Sequence, residues 1–184
     1  MRYDRTIVVA ATRAEAAHVP AHLPLVVTGL GKTAAAVATT RALAGVDPAT
    51  TLVVNIGTAG ALRDGLEGLH LPGTTINHDM NAAAVRALGY DPEERLTVDG
   101  GDDTVLASGD VFVTDPAVRA ALAEDAHLVD MEGYAVVFAC RRLGVPVRLV
   151  KHVSDNADES ALDWPDRVAA SARVLGEWLA QNVR

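Results

Sequence analysis

Short apolar runs that recur between alanine-rich, helix-compatible stretches limit the folds open to this chain more than any other feature. The runs near Thr6 to Ala11, Leu25 to Thr28, Leu52 to Ile56, Val111 to Val113 and Val147 to Val153 have the length of single strands and are rich in β-branched residues. Between them, Lys32 to Leu43, Pro116 to Ala126, Glu132 to Leu143 and Pro165 to Gln181 read as helices. Asp115 before Pro116, and Asp163 ahead of Pro165, mark two of the starts. Strands covered on both faces read as near-continuous apolar runs, and strand-then-helix order delivers such a cover. The expectation is therefore a three-layer α/β fold, a mostly parallel, twisted central sheet with helices on both faces, built by residues 1–184 as one domain. Asp91 to Asp103, the polar stretch DPEERLTVDGGDD, reads as a surface loop.

Composition narrows the function classes. Hydrophobic residues make up 49% and charged residues 22%, which suits a packed core and excludes a disordered chain. The formal net charge of -8 repels phosphate backbones, so no nucleic-acid partner is expected, and a small neutral or cationic ligand is favoured. No stretch approaches the roughly 20 apolar residues of a membrane span. Arg2 and Arg5 ahead of IVVAA look like the start of a signal peptide, but Arg13 and Glu15 break the run, which is read as the first strand. The single cysteine, Cys140, falls inside a predicted helix and fits a buried structural role in a reducing, cytoplasmic setting.

The most chemistry is concentrated between Val129 and Ser160, where acids bracket a helix and a strand. Asp130 and Glu132 precede the helix, and Ser154 and Asp155 follow the apolar strand. Ligands of open α/β sheets bind beyond the carboxyl ends of parallel strands, so Asp155 is placed to meet one. Burial there raises a carboxyl pKa and lets the group act as an acid, while an Asx-rich turn is the structural alternative for SDNADE. Two glycine-containing strand ends suggest a ligand approached closely by backbone. TGLGKT ends one strand and opens a helix, but Val26 stands where a P-loop needs its first glycine, so a Walker site is rejected. NIGTAGAL carries Thr58 and Gly60 at a second strand end. Phe112, in SGDVFV, is one of only two phenylalanines and is suited either to stacking on a flat base or to core packing. His78 and His152 show no metal-ligand spacing, so no metal is assigned, and Tyr134 and the tryptophans read as packing.

Taken in order, Glu15 after the first strand, then GLGK, GTAGAL, SGDVFV, VDMEG and VKHVSDNAD resemble the purine nucleoside phosphorylase and nucleosidase superfamily. Within it the resemblance is greatest to methylthioadenosine/S-adenosylhomocysteine nucleosidases. The resemblance implies cleavage of an N-ribosidic bond without a cofactor, a purine nucleoside as small-molecule partner, and a homodimer. It gives Asp155 the role of assisting protonation of the purine and Ser154 that of its neighbour. Met131 and Glu132 become the ribose-binding pair, Phe112 and Val113 the purine-holding segment, and Glu15 the carboxylate that helps activate water. Thr58 takes the place of a small hydroxyl residue near the nucleophile, with Gly60 beside it. Lys151 departs from the pattern, standing where relatives often carry arginine. A phosphate-dependent phosphorylase and a catalytically silent nucleoside-binding protein are the alternatives.

Overall fold

The computed structural model describes residues 3–183, so Arg2 lies outside the described residues. In chain order the elements are β1 (Arg5–Ala10), β2 (Leu25–Val27), α1 (Lys32–Leu43), β3 (Thr51–Ala61), β4 (Leu69–His70), β5 (Pro72–Asn77), α2 (Ala82–Ala87), β6 (Arg95–Thr97), β7 (Asp102–Ser108), α3 (Pro116–Ala123), β8 (Leu128–Asp130), α4 (Gly133–Arg142), β9 (Val147–Asp155), a 3-10 turn (Glu159–Asp163) and α5 (Trp164–Asn182). The strands form one sheet in the order β2-β1-β3-β8-β7-β5-β6, with β9 pairing β3 and β4. Pairing is parallel in β1/β2, β1/β3, β3/β9, β5/β7 and β7/β8, and antiparallel in β3/β8, β4/β9 and β5/β6.

Alternation along the central strands builds the three layers. Val8, Ala10, Val54 and Ile56 pack with Leu175 and Leu179 of α5. Their neighbours Ile7, Val9 and Val53 face the other way, onto Ala35 and Leu43 of α1 and Ala135, Val136 and Cys140 of α4. Helix α4 is buried around most of its girth, and burial pushes the Cys140 thiol up to about 12. It sits so close to the sheet that a Cβ on Gly133 would lie 2.6 Å from Leu106.

Strand β3 organises the site. It runs to Ala61, so Thr58 and Gly60 lie within the strand rather than beyond its end, as the glycines had suggested. Along one side it pairs with β9 from Val53 to Gly60. Along the other it pairs in parallel with β1 as far as Asn55, and antiparallel with β8 at Gly60 and Ala61. The carboxyl ends of β1 and β8 therefore run toward each other and leave a gap beside residues 56–59.

Two expectations are corrected. Val111 to Val113 is not a strand: the chain leaves the sheet at Ser108, and this apolar segment lines a cavity instead. The polar stretch Asp91 to Asp103 is not all loop, since it contains β6 and the start of β7; sheet hydrogen bonding to β5 overrides weak local propensity there.

Candidate active site

The gap beside β3 opens into a cavity of about 430 Å³. Every residue to which the family resemblance gives a site role lines it: Glu15, Thr58, Gly60, Phe112, Val113, Met131, Glu132, Ser154 and Asp155. Asp130, Leu30, Leu162 and Trp164 also line it.

Glu15 follows β1 and is buried at the gap. Its Oε1 accepts from the Thr58 N–H and hydroxyl, each at 2.9 Å, so it satisfies a strand amide that has no neighbouring strand on that side. Its Oε2 accepts from the Thr12 N–H at 3.0 Å and hydroxyl at 2.9 Å, and the Thr12 hydroxyl in turn accepts from the Glu15 N–H. The space opposite is tight: a Cβ on Gly57 would lie 3.2 Å from both Glu15 Oε1 and Lys151 Nζ. Trp164, at the start of α5, donates its indole N–H to the Thr58 hydroxyl at 2.8 Å. Sequence reading had assigned that tryptophan to packing, and a lone indole gives no sequence signal that its N–H faces a strand.

From β8 come two acids with separate tasks. Asp130 accepts from the Ser108 hydroxyl at 2.5 Å and from the Gly133 N–H, which closes the first turn of α4. It also pairs with Lys151 Nζ at 2.8 Å, both side chains being 2% exposed. This lysine, on β9, is one of the largest fully buried side chains, and its charge is compensated by Asp130 of β8, on the far side of β3. Glu132 instead reaches the glycine turn after β2, accepting from the Gly31 N–H at 2.7 Å. Burial, reinforced by the charges of Asp130 and Glu15, pushes its carboxyl up to about 7 against the pull of Gly31 and Lys151.

Asp155 ends β9 and is buried at the cavity wall. Ser154 donates its hydroxyl to Oδ2 at 2.6 Å, and the Ala157 N–H donates to Oδ1 at 2.9 Å. The second contact is the Asx turn read from SDNADE, so the turn and the cavity position coexist. Gly60 makes room for it, since a Cβ there would stand 2.9 Å from Ala157 Cβ and 3.0 Å from Asp155 Oδ1. Glu15 thus lies against Thr58, and Asp155 lies beside Gly60 on the paired strand β9, two residues further along β3.

The mouth is apolar. Phe112 is 49% exposed and joins Leu30, Val111 and Leu162 at the rim, with Val113 and Met131 deeper. Two N–H groups of the glycine turn are taken by acids: Gly31 donates to Glu132, and Lys32 donates its backbone N–H to Asp110 at 2.7 Å. The Lys32 ammonium is held by Asn77 and Asp79, and Arg63 by Ala123 and His127.

An open, largely parallel α/β sheet with an acid-lined cavity where strand direction reverses is the layout in which α/β proteins hold small ligands. The chain belongs to the phosphorylase superfamily, whose model matches residues 21–180. It is 28% identical over 151 residues to the aminodeoxyfutalosine nucleosidase of Helicobacter pylori strain J99, covering 69% of this chain and 66% of that one. With the 5'-methylthioadenosine/S-adenosylhomocysteine nucleosidase of Actinobacillus succinogenes identity is 30%, over 74% of this chain and 69% of the relative. Against the first of these, and at 56% against the same enzyme of a second Helicobacter pylori strain, the chain spans less than two thirds of the relative's length. In structure it superposes on the Helicobacter pylori methylthioadenosine/S-adenosylhomocysteine nucleosidase with a TM-score of 0.84, at 22% identity and 98% coverage of both chains.

Proposed function

We propose that the protein is a purine nucleosidase that hydrolyses the N-glycosidic bond of an adenosine-type nucleoside, one like methylthioadenosine or S-adenosylhomocysteine, to free base and a ribose derivative. The observation that carries this reading is the pair of buried carboxylates lining one cavity, Glu15 hydrogen-bonded to Thr58 of β3 and Asp155 at the end of β9 in register with Gly60, with Glu132 facing the same space. Cleaving a ribose C–N bond creates an oxocarbenium-like sugar and an electron-rich leaving purine, so charge must be stabilised at both ends. Asp155, held by Ser154, assists protonation of the base. Glu15, held by Thr12 and Thr58, orients water on the opposite face of the sugar, the division of labour of an inverting glycosidase. Ionised Glu132 accepts from the sugar hydroxyls beside Met131, and Phe112 with Val113 flanks the base. General acid and base terms are each worth on the order of 100- to 10,000-fold. This chemistry asks for no metal or redox cofactor.

Water rather than phosphate is the proposed nucleophile, because carboxylates line the cavity while Lys32 and Arg63 are engaged elsewhere and Arg13 is exposed and outside the lining. The exposed apolar rim of Leu30, Val111, Phe112 and Leu162 is consistent with a homodimer whose partner covers the mouth. A cytoplasmic location fits the single buried cysteine. Among the described residues, no helix is long and apolar enough to cross a membrane. A panel of nucleosides assayed for released base, with and without phosphate, tests the reading. Base release in phosphate-free buffer is expected. Release only with phosphate would make the protein a phosphorylase, and tight binding without turnover a silent receptor.

A further inference from the structure

Trp164 lies at the first residue of α5, far in sequence from β3, yet its indole N–H donates to the Thr58 hydroxyl at 2.8 Å. An indole N–H can only donate, so the hydroxyl oxygen must accept from it. A hydroxyl has a single proton, and with Trp164 on the oxygen that proton is left for Glu15 Oε1, 2.9 Å away. The same logic holds on the other carboxylate oxygen, where the Glu15 N–H occupies the Thr12 hydroxyl and directs its proton to Oε2. Both hydroxyl rotors that hold Glu15 are therefore fixed by a donor from outside the carboxylate. One of these donors belongs to Glu15 itself; the other is supplied by α5.

We propose that Trp164 is a positioning residue, whose indole N–H fixes the direction of the Thr58 hydroxyl proton and through it the orientation of the Glu15 carboxylate toward the attacking water. The inference rests on the hydrolytic role of Glu15 proposed above. Without the indole N–H, the Thr58 hydroxyl is free to turn its proton away from Oε1, and one of the four bonds holding the carboxylate is lost for part of the time. A replacement that removes the N–H but keeps the ring that lines the cavity should leave substrate binding almost unchanged and slow the chemical step.

The test replaces Trp164 with β-(3-benzothienyl)alanine, which keeps the bicyclic shape and puts sulfur where the N–H was, alongside Trp164→Phe, Thr58→Val and the combined variants. Loss of one net hydrogen bond predicts a fall in kcat of about 5-fold with KM little changed. In the Thr58→Val background the same replacement should have no further effect on kcat, because the route to Glu15 is already cut. An equal fall in both backgrounds, or a change confined to KM, would overturn the proposal and leave Trp164 a packing residue. A second readout needs no substrate: the Trp164 indole proton resonance of the intact protein should move in Thr58→Val and in Glu15→Gln, and an unmoved resonance in Thr58→Val would equally refute the chain of bonds. If Glu15→Gln leaves base release unchanged, the hydrolytic role of Glu15 fails instead, while the indole resonance still decides whether Trp164 orders Thr58.

Discussion

Replacing Glu132 with glutamine should make the protein more stable at alkaline pH while weakening its action on nucleosides. The carboxyl sits at about 7 in the folded chain, against 4.5 for an exposed glutamate, because burial and the charges of Asp130 and Glu15 outweigh the Gly31 N–H and Lys151. Between those two values the folded state holds a proton that the unfolded state has released, so stability falls as pH rises through this window. The contribution is fully present below about 4.5 and is lost once pH passes 7. At about 1.4 kcal/mol for each tenfold change in proton affinity, the whole effect is about 3 kcal/mol. Glutamine stands in for the protonated acid: it keeps a carbonyl for Gly31 and carries no charge. Glu132→Gln should therefore match the parent near pH 4.5 and exceed it by about 3 kcal/mol at pH 8, a rise in Tm of about 6–12 °C for a chain of this size. Urea unfolding of both proteins from pH 4.5 to 8.5 measures the difference directly. A stability gap that is flat across that range, or that widens toward acid, would refute the reasoning. The same ionisation should appear in activity, with kcat/KM of the parent falling below about pH 7 as Glu132 loses its capacity to accept from both sugar hydroxyls.

Asp155→Asn should lower turnover by on the order of 100- to 10,000-fold while leaving the unfolding curve close to the parent's, since asparagine keeps an oxygen for the Ala157 N–H; full turnover would remove Asp155 from the chemistry. Lys151→Met should cost about 3–5 kcal/mol in denaturant unfolding, because it leaves the buried Asp130 without its cation at the cavity wall, and a loss below about 1 kcal/mol would show that the pair contributes little to stability. Gly60→Ala should impair activity more than its size suggests, since the new methyl group meets Ala157 and Asp155; unchanged kcat would show that the Asp155 turn has room to give.

Four of the five helices were legible from local pattern and punctuation, whereas the six-residue α2 was not read and Asp163 makes no side-chain cap bond at the start of α5. Asp115 does cap α3, accepting from the Ala117 N–H at 2.7 Å, and α1 runs from Lys32 to Leu43 as the alanine-rich pattern indicates. Strands β4, β6 and β8 span two or three residues, and β7 opens on Asp102 and Asp103; such segments are strands only because a neighbour pairs with them. Val111 to Val113 misled for the converse reason, because apolar β-branched residues suit a cavity wall as well as a sheet. The carboxylates were visible as acids at strand ends. Most of what holds them was not: Thr12 and Glu15 form a local Thr-x-x-Glu pair, but Gly31, Lys151 and Trp164 meet partners distant in sequence, and no spacing rule reports where two strands stop short of each other.

That gap ties foldability to the carboxylate at position 15. Where β1 has ended and β8 has not begun, the Thr58 amide would face a cavity, and an unsatisfied buried N–H costs about 1–3 kcal/mol. Glu15 serves there as the missing neighbour of an interrupted sheet, whatever else it does. Descendants of this chain that lose their substrate would still be under pressure to keep an acceptor at that place. An intact Glu15 in such a relative would record the need to finish a strand, and so could not by itself be taken as a sign that the relative still cleaves anything.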